Sequence, residues 1–257
     1  MNDPQFVSSL VVAIFAGGVG GYLGSLMITK KMALTGDAIG HLALPGVALA
    51  LFYGVNLTYG ALISLLVGVL IIWGLEIKTK ISTEALTGIV FTTSTALAFL
   101  FLEEGDLESA LVGDISSIGK LEAVITVAML IAVFFVIKSI YERMVLMSLS
   151  DDVAKVEKIN TKKINLIYLL CIAITVALGI KVVGSLLIGA LVIIPAAAAR
   201  NLSKSMTHYA YGGMALGVLS CIVGIFVYKW IGFSAGPIII LTGTAFFILS
   251  VIFKTKS

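Results

Sequence analysis

Charge is scarce in this chain. Asp, Glu, Lys and Arg make up 12% of its 257 residues, about half the ~25% of a soluble domain, while 60% are hydrophobic and the mean hydropathy is +1.14. That shortage excludes an ordinary soluble globule and points to a polytopic membrane protein. Histidine and cysteine are rarer still, at two each. Cys171 and Cys221 lie inside apolar runs, at a spacing used by neither a disulfide framework nor a recognisable metal motif. No H-E-x-x-H and no G-x-S-x-G occurs, so the common hydrolase signatures are absent. "GDISSIGK", Gly113–Lys120, superficially looks like a phosphate loop. It has five residues between its glycines rather than four, and Leu121 stands where a Ser or Thr would hold magnesium. If nucleotide energises this protein, the nucleotide site is on another chain. There is no basic face for nucleic acid. Met1–Phe6 lacks a basic n-region, and no small-residue cleavage site follows the first apolar run, so no cleaved leader is expected. No internal repeat or low-complexity tract stands out.

What the chain does have is apolar length. Nine segments are candidate spans: Phe6–Ile28, Ala38–Gly54, Leu57–Leu75, Glu84–Leu102, Leu121–Ile140, Ile164–Ile180, Val182–Ala199, His208–Tyr228 and Ala235–Phe253. Ala38–Gly54 is short and interrupted by Pro45-Gly46, which leaves eight spans as the alternative. Helices are the default, because lipid offers no water to satisfy the backbone. With nine spans and the N-terminus outside, only Lys120, Lys181 and Lys229 of the 17 Lys and Arg fall in outer loops. The rest gather on the cytoplasmic side with the C-terminus, as the positive-inside rule requires. The acidic run Glu103–Glu108 then lies outside, where it is either a solvated loop or a contact for another protein. Asn56 and Asn201 begin N-x-S/T sequons, which matter only in a glycosylating pathway. Gly17 and Gly21, and likewise Gly20 and Gly24, are four apart. That spacing lets helices approach closely, either within the chain or at a dimer seam.

Against this background Asp37 and His41 stand out. Four residues apart on a helix, they share one face, and a carboxylate with an imidazole suits a first-row divalent cation such as manganese, zinc or iron. A charge at membrane depth costs ~2.5–3.5 kcal/mol on insertion scales, so it asks for a functional explanation. The competing reading makes Asp37 a helix cap and His41 a packing residue. Two ligands are few for a tight site. A two-fold dimer with this helix at its axis doubles them. Pro45 and Gly46, one turn on, would kink or end the helix. Broken helices often build transport sites, though a kinked packing helix is the alternative. His208 sits at a helix end with no acidic neighbour in sequence.

One cytoplasmic stretch, Ser148–Lys163, is too polar for lipid. Ser150 or Asp151 can cap a short amphipathic helix there, with Val153, Val156 and Ile159 on one face. It is either a solvated connector or a docking element for a cytosolic partner.

Three stretches together resemble the zinc/manganese/iron permease family of ATP-binding-cassette importers. "GDAIGHLALPGVALA" is similar to that family's Gly-Asp-x-x-Ser-His-x-x-Leu-Pro-Gly motif. "LVGDI", Leu111–Ile115, stands in place of a short Leu-Phe-Gly-(Asp/Asn)-Ile element. "VVGSLLIGALVIIPAAAAR", Val182–Arg200, is similar to a Val-Gly-x-Leu-Leu…Ile-Pro-Ala-Ala-x-Ala run. The resemblance extends from about Lys30 to Lys204. It implies an all-α, vitamin-B12-importer-like (type II) permease, with residues 1–257 forming one transmembrane domain in the cell membrane. It also implies a homodimer, cytosolic ATP-binding subunits, and an extracytoplasmic protein that delivers the metal. The chain itself would be no enzyme and hold no permanent cofactor. Manganese, zinc or iron would be its cargo, and ATP would bind the partner. The family's metal-contacting pair falls on Asp37 and His41. Its ATPase-coupling segment falls on Asp151–Asn160, with Asp151, Asp152, Ala154 and Lys158 as the residues that carry it. Two positions depart from the pattern. Gly40 replaces a serine, which removes a hydroxyl and is expected to loosen the helix, and Lys158 stands where a glycine is usual. Other functions to weigh are a permease for a metal chelate (siderophore or corrinoid), a proton-coupled carrier, and a membrane scaffold that transports nothing.

Overall fold

The computed structural model describes residues 4–79, 81–100, 118–149, 154, 156–185, 187–231 and 234–253. Among them are ten helices and no strand: α1 Pro4–Thr29, α2 Ala33–His41, α3 Leu44–Phe52, α4 Leu57–Thr79, α5 Thr83–Phe99, α6 Lys120–Leu149, α7 Thr161–Val183, α8 Ile188–Leu202, α9 Met206–Ile231 and α10 Ala235–Ile252. Seven apolar stretches are long enough to cross a membrane, with α2 and α3 counted together as Ala33–Phe52. Of the nine segments marked in the sequence, the remaining two became shorter helices: α5 has 17 residues and α8 has 15. Short helices of this kind reach across a bilayer only partly and need neighbours to cover their ends. The motif Leu111–Ile115, the acidic run Glu103–Glu108, and Asp151 and Asp152 lie outside the described residues.

Local chemistry sets the element boundaries. Ser82 caps α5 by accepting from the Ala85 N–H, and Asn160 caps α7 by accepting from Lys163. Three C-terminal ends close the same way, with a residue in the left-handed region and an N–H reaching five residues back. These are Lys31 (φ 59; Met32 N–H to the Met27 carbonyl), Gly54 (φ 66; Val55 to Ala50) and Lys158 (φ 51; Ile159 to Ala154). Glycine is the low-cost residue there, and lysine is not. A glycine would fit the turn at position 158 without strain, and Lys158 fills it at a conformational cost. The connector packs differently from the single face Val153, Val156 and Ile159 suggested. Val153 lies outside the described residues and Val156 is 80% exposed, while Ala154 is fully buried and Ile159 packs against the core.

The core is centred on α1, which packs against α9, α8, α6 and α7. Glycines set its closest crossings. A Cβ on Gly21 would run into the Gly213 carbonyl, and one on Gly17 into Gly217, so α1 and α9 touch backbone to backbone. Gly24 meets the Val192 carbonyl of α8 in the same way, and Gly20 lies against the Val192 side chain. Both four-residue glycine pairs are thus spent inside one chain, which settles them as intrachain packing. In lipid such contacts replace the hydrophobic effect as the force between helices. The partner pair Gly213/Gly217 on α9 has the same spacing and is equally readable in the sequence. Tyr22 fills the remaining space, with its ring 5.2 Å from both Phe134 and Tyr141 and 5.6 Å from Tyr211. Cys171 and Cys221 are buried free thiols.

Candidate functional site

The chain leaves α1 through the tight Lys30–Met32 turn and enters α2 at Ala33. Asp37 is therefore the fifth residue of α2. It is no cap: the N-cap position belongs to Met32, which makes no side-chain cap bond. His41 is the last residue of that helix. Pro45 explains the ending. It has no N–H to give the His41 carbonyl four residues back. Leu42 and Ala43 keep helical dihedrals across the break. The Leu42 carbonyl is taken by the Ser64 hydroxyl of α4 at 2.7 Å, which holds the broken point against that helix. Gly46 meets Gly60 at backbone contact, so α3 lies flush on α4.

Two glycines bring the site helix onto its support. A Cβ at Gly189 of α8 would stand 2.5 Å from the Asp37 Cα and 2.8 Å from its nitrogen. A Cβ at Gly40 already would stand 2.8 Å from the Ser185 carbonyl oxygen, so a serine side chain at 40 requires the turn before α8 to move. Gly40 thus tightens the packing of α2 rather than loosening it. Phe91 of α5 lies against the His41 ring, with centroids 5.2 Å apart at 49°. Neither Phe91 nor Gly189 is marked by a local pattern, because neither contact follows from spacing within one helix.

The other face of α2 is open. Leu34 is 73% exposed, Asp37 is exposed, and His41 is partly buried. These positions lie three and four apart and form one stripe. Beside them α5 buries little more than Leu86, Thr87 and Ala98. No cluster of three or more His, Cys, Asp or Glu side chains occurs among the described residues. His208 is occupied elsewhere: Ser205 Oγ lies 3.1 Å from its Nδ1 and accepts from its backbone N–H at the start of α9.

Polar groups also mark the two ends of the bundle. At one end Lys181 of α7 pairs with Glu122 of α6. At the other, Asn165, near the start of α7, is 6% exposed, accepts from Lys30 Nζ at 3.1 Å and donates to Glu76 Oε2 at 2.8 Å. The Thr83 hydroxyl donates to Glu76 Oε1 at 2.6 Å, and Trp73 Nε1 donates to the Lys162 carbonyl at 3.0 Å.

A multi-span helical bundle with an ionisable pair on a proline-broken helix is the architecture of a membrane transport permease. The chain belongs to the ABC 3 transport family, whose model matches residues 2–254. It is 30% identical to the high-affinity zinc uptake system membrane protein ZnuB of Haemophilus influenzae, over 98% of this chain and 97% of that protein. It is 29% identical to the manganese import system permease protein ScaB of Streptococcus gordonii, over 100% and 94%. Among solved structures it is similar to PsaBC from Streptococcus pneumoniae in complex with Fab, with 26% identity and a TM-score of 0.84 over 97% of this chain and 91% of that one. An ABC transporter of metal-chelate type in an inward-facing conformation shares the fold alone, at 18% identity and a TM-score of 0.77.

Proposed function

We propose that the chain is the membrane subunit of an ATP-driven importer of a divalent transition metal, zinc or manganese foremost, and that Asp37 and His41 contact the ion. The observation that carries this is the open stripe of α2: an exposed carboxylate and a half-buried imidazole on one face of an apolar, proline-broken helix. In a membrane such a face needs a polar partner. A second copy supplies it with the same groups, giving two carboxylates and two imidazoles, enough for tetrahedral zinc or for manganese with added water. The relatives' names, zinc uptake and manganese import, support the same cargo.

In this reading a delivery protein presents the metal on the side of Lys181 and Glu122. The two Asp37–His41 pairs replace water ligands. ATP-binding subunits engage the connector that ends at Asn160 on the opposite, cytoplasmic side, where most of the Lys and Arg gather. Hydrolysis takes place on those subunits, and this chain binds, orients and releases the ion. Pro45 makes release possible, because a helix that ends beside its ligand can reorient without unravelling a continuous hydrogen-bond ladder. A protonated imidazole has no lone pair to offer a metal, so uptake should fall as the delivery side is acidified. A flat profile well into acid would count against His41 as a ligand.

The test is metal uptake into vesicles holding the permease with its ATP-binding subunits, offered manganese, zinc and iron(II) in turn. Loss of uptake in both Asp37→Ala and His41→Ala, with the complex still assembled, supports the reading and names the ion. Undiminished uptake in either variant contradicts it. A chelate permease, by contrast, would keep transporting after His41→Ala.

A further inference from the structure

The site needs a way to feel the connector. α2 follows directly from Lys30, and α5 begins at Thr83, eight residues before the phenylalanine that lies on His41. α7 follows directly from the connector. All three starting points are joined through Asn165, with Thr83 reached by way of Glu76. The buried Asn165 amide accepts from Lys30, and its NH2 donates to Glu76, whose second oxygen holds Thr83. The amide orientation is fixed by its partners, since an ammonium only donates and a carboxylate only accepts. Lys30 is also positioned from the other side, with its Nζ 5.7 Å from the centre of the Tyr168 ring one turn along α7.

The described residues of the connector are held against this point. Ala154 is fully buried, Ile159 packs on the core, Asn160 caps α7, and the Lys162 carbonyl is held by Trp73. A displacement of the connector therefore moves Asn165 as a unit with the first turn of α7. The cluster also borders a cavity of about 400 Å3 lined by Lys30, Trp73, Glu76, Met147, Lys162 and Asn165. Its members have room to exchange partners, which a close-packed core would not give them.

We propose that Asn165 is the positioning residue through which the connector is coupled to the metal helices, with the Lys30–Asn165–Glu76–Thr83 relay carrying its motion to α2 and α5. This rests on the reading of the chain as a metal importer. A physical coupling claim requires two sites biased by one element. Here the element is a single amide that spans a cation on the strand of chain leading to Asp37 and an anion on the strand leading to Phe91.

The experiment uses the full transporter in vesicles and reads metal moved per ATP hydrolysed, with manganese and zinc as probes. Asn165→Leu keeps the branching at Cγ and removes both hydrogen bonds. It lowers that ratio about tenfold, while metal binding by the purified complex stays within about twofold. The single changes Lys30→Glu and Glu76→Lys lower it similarly. Their combination restores the ratio, because an asparagine amide can turn over and serve the exchanged charges; the restoration disappears when Asn165→Leu is added. Three results overturn the inference: an unchanged ratio in Asn165→Leu, uptake and hydrolysis falling in step as in a merely destabilised protein, or a double exchange no better than either single one. Wild-type vesicles that take up no metal overturn the reading of function and this inference with it. Normal wild-type uptake with an unchanged ratio overturns the inference alone.

Discussion

The seam between α1 and α9 and the face formed by α2 and α5 are built on opposite rules. At the seam, Gly17 and Gly21 meet Gly217 and Gly213 with no room for a methyl group, and the buried Cys221 thiol closes the space beside Gly17. On the face, Leu34 and Asp37 are uncovered and α5 buries few of its residues. A membrane protein that must stay folded while part of it moves needs both. The seam gives a fixed frame held by close packing. The face is open and carries the only Asp–His pair one turn apart in the sequence.

Substitution can break that contrast from either side. The largest effect on folding comes at the seam. Gly21→Val forces a branched side chain into the Gly213 carbonyl and costs about 4 kcal/mol or more; thermal unfolding in detergent should find little folded protein. Leu34→Ala, on the open face, should change the same curve by about 0.5 kcal/mol or less. Equal sensitivity at the two places would mean that the face is not open. For transport the ranking reverses. Asp37→Ala or His41→Ala should cut uptake about hundredfold with little change in unfolding temperature, whereas loss of folding in step with uptake would make the pair structural. Gly189→Ala sits between the two regions, because its methyl would press on the Asp37 backbone. It should weaken metal affinity about tenfold, read by isotope binding to the purified protein; unchanged affinity would show that α8 does not position Asp37. At the connector the expected sign is the opposite. Lys158→Gly relieves a left-handed lysine and should raise stability by about 1 kcal/mol, and a loss instead would mean that the lysine side chain makes a needed contact.

Much of this was legible beforehand. The apolar segments, the break at Pro45 and the shared face of Asp37 and His41 all follow from local periodicity and from proline's missing N–H. Other features depend on which helix meets which, and one-dimensional spacing cannot carry that. Gly40 and Gly189 look permissive in sequence, and only the approach of α8 makes them contact positions. Asp37 looked able to cap a helix because Thr35 and Gly36 precede it, but the turn closed by Lys31 starts α2 four residues earlier. The Lys30–Asn165–Glu76 relay joins residues 89 and 135 positions apart, which no local pattern predicts. Gly213 and Gly217 were the missed opportunity, since their spacing matches Gly17 and Gly21.

The most direct measurement of the central claim is cross-linking across the open face. Cys171 and Cys221, both buried, are replaced by alanine; Leu34 is changed to cysteine, and membranes are treated with a short bifunctional thiol reagent. A second membrane preparation carries cysteine at Leu219, exposed on α9. A two-chain product is expected from Leu34→Cys, suppressed when the protein is unfolded in detergent, and none from Leu219→Cys. Single chains only at position 34, or equal cross-linking at both positions, would contradict a metal site completed by a second copy.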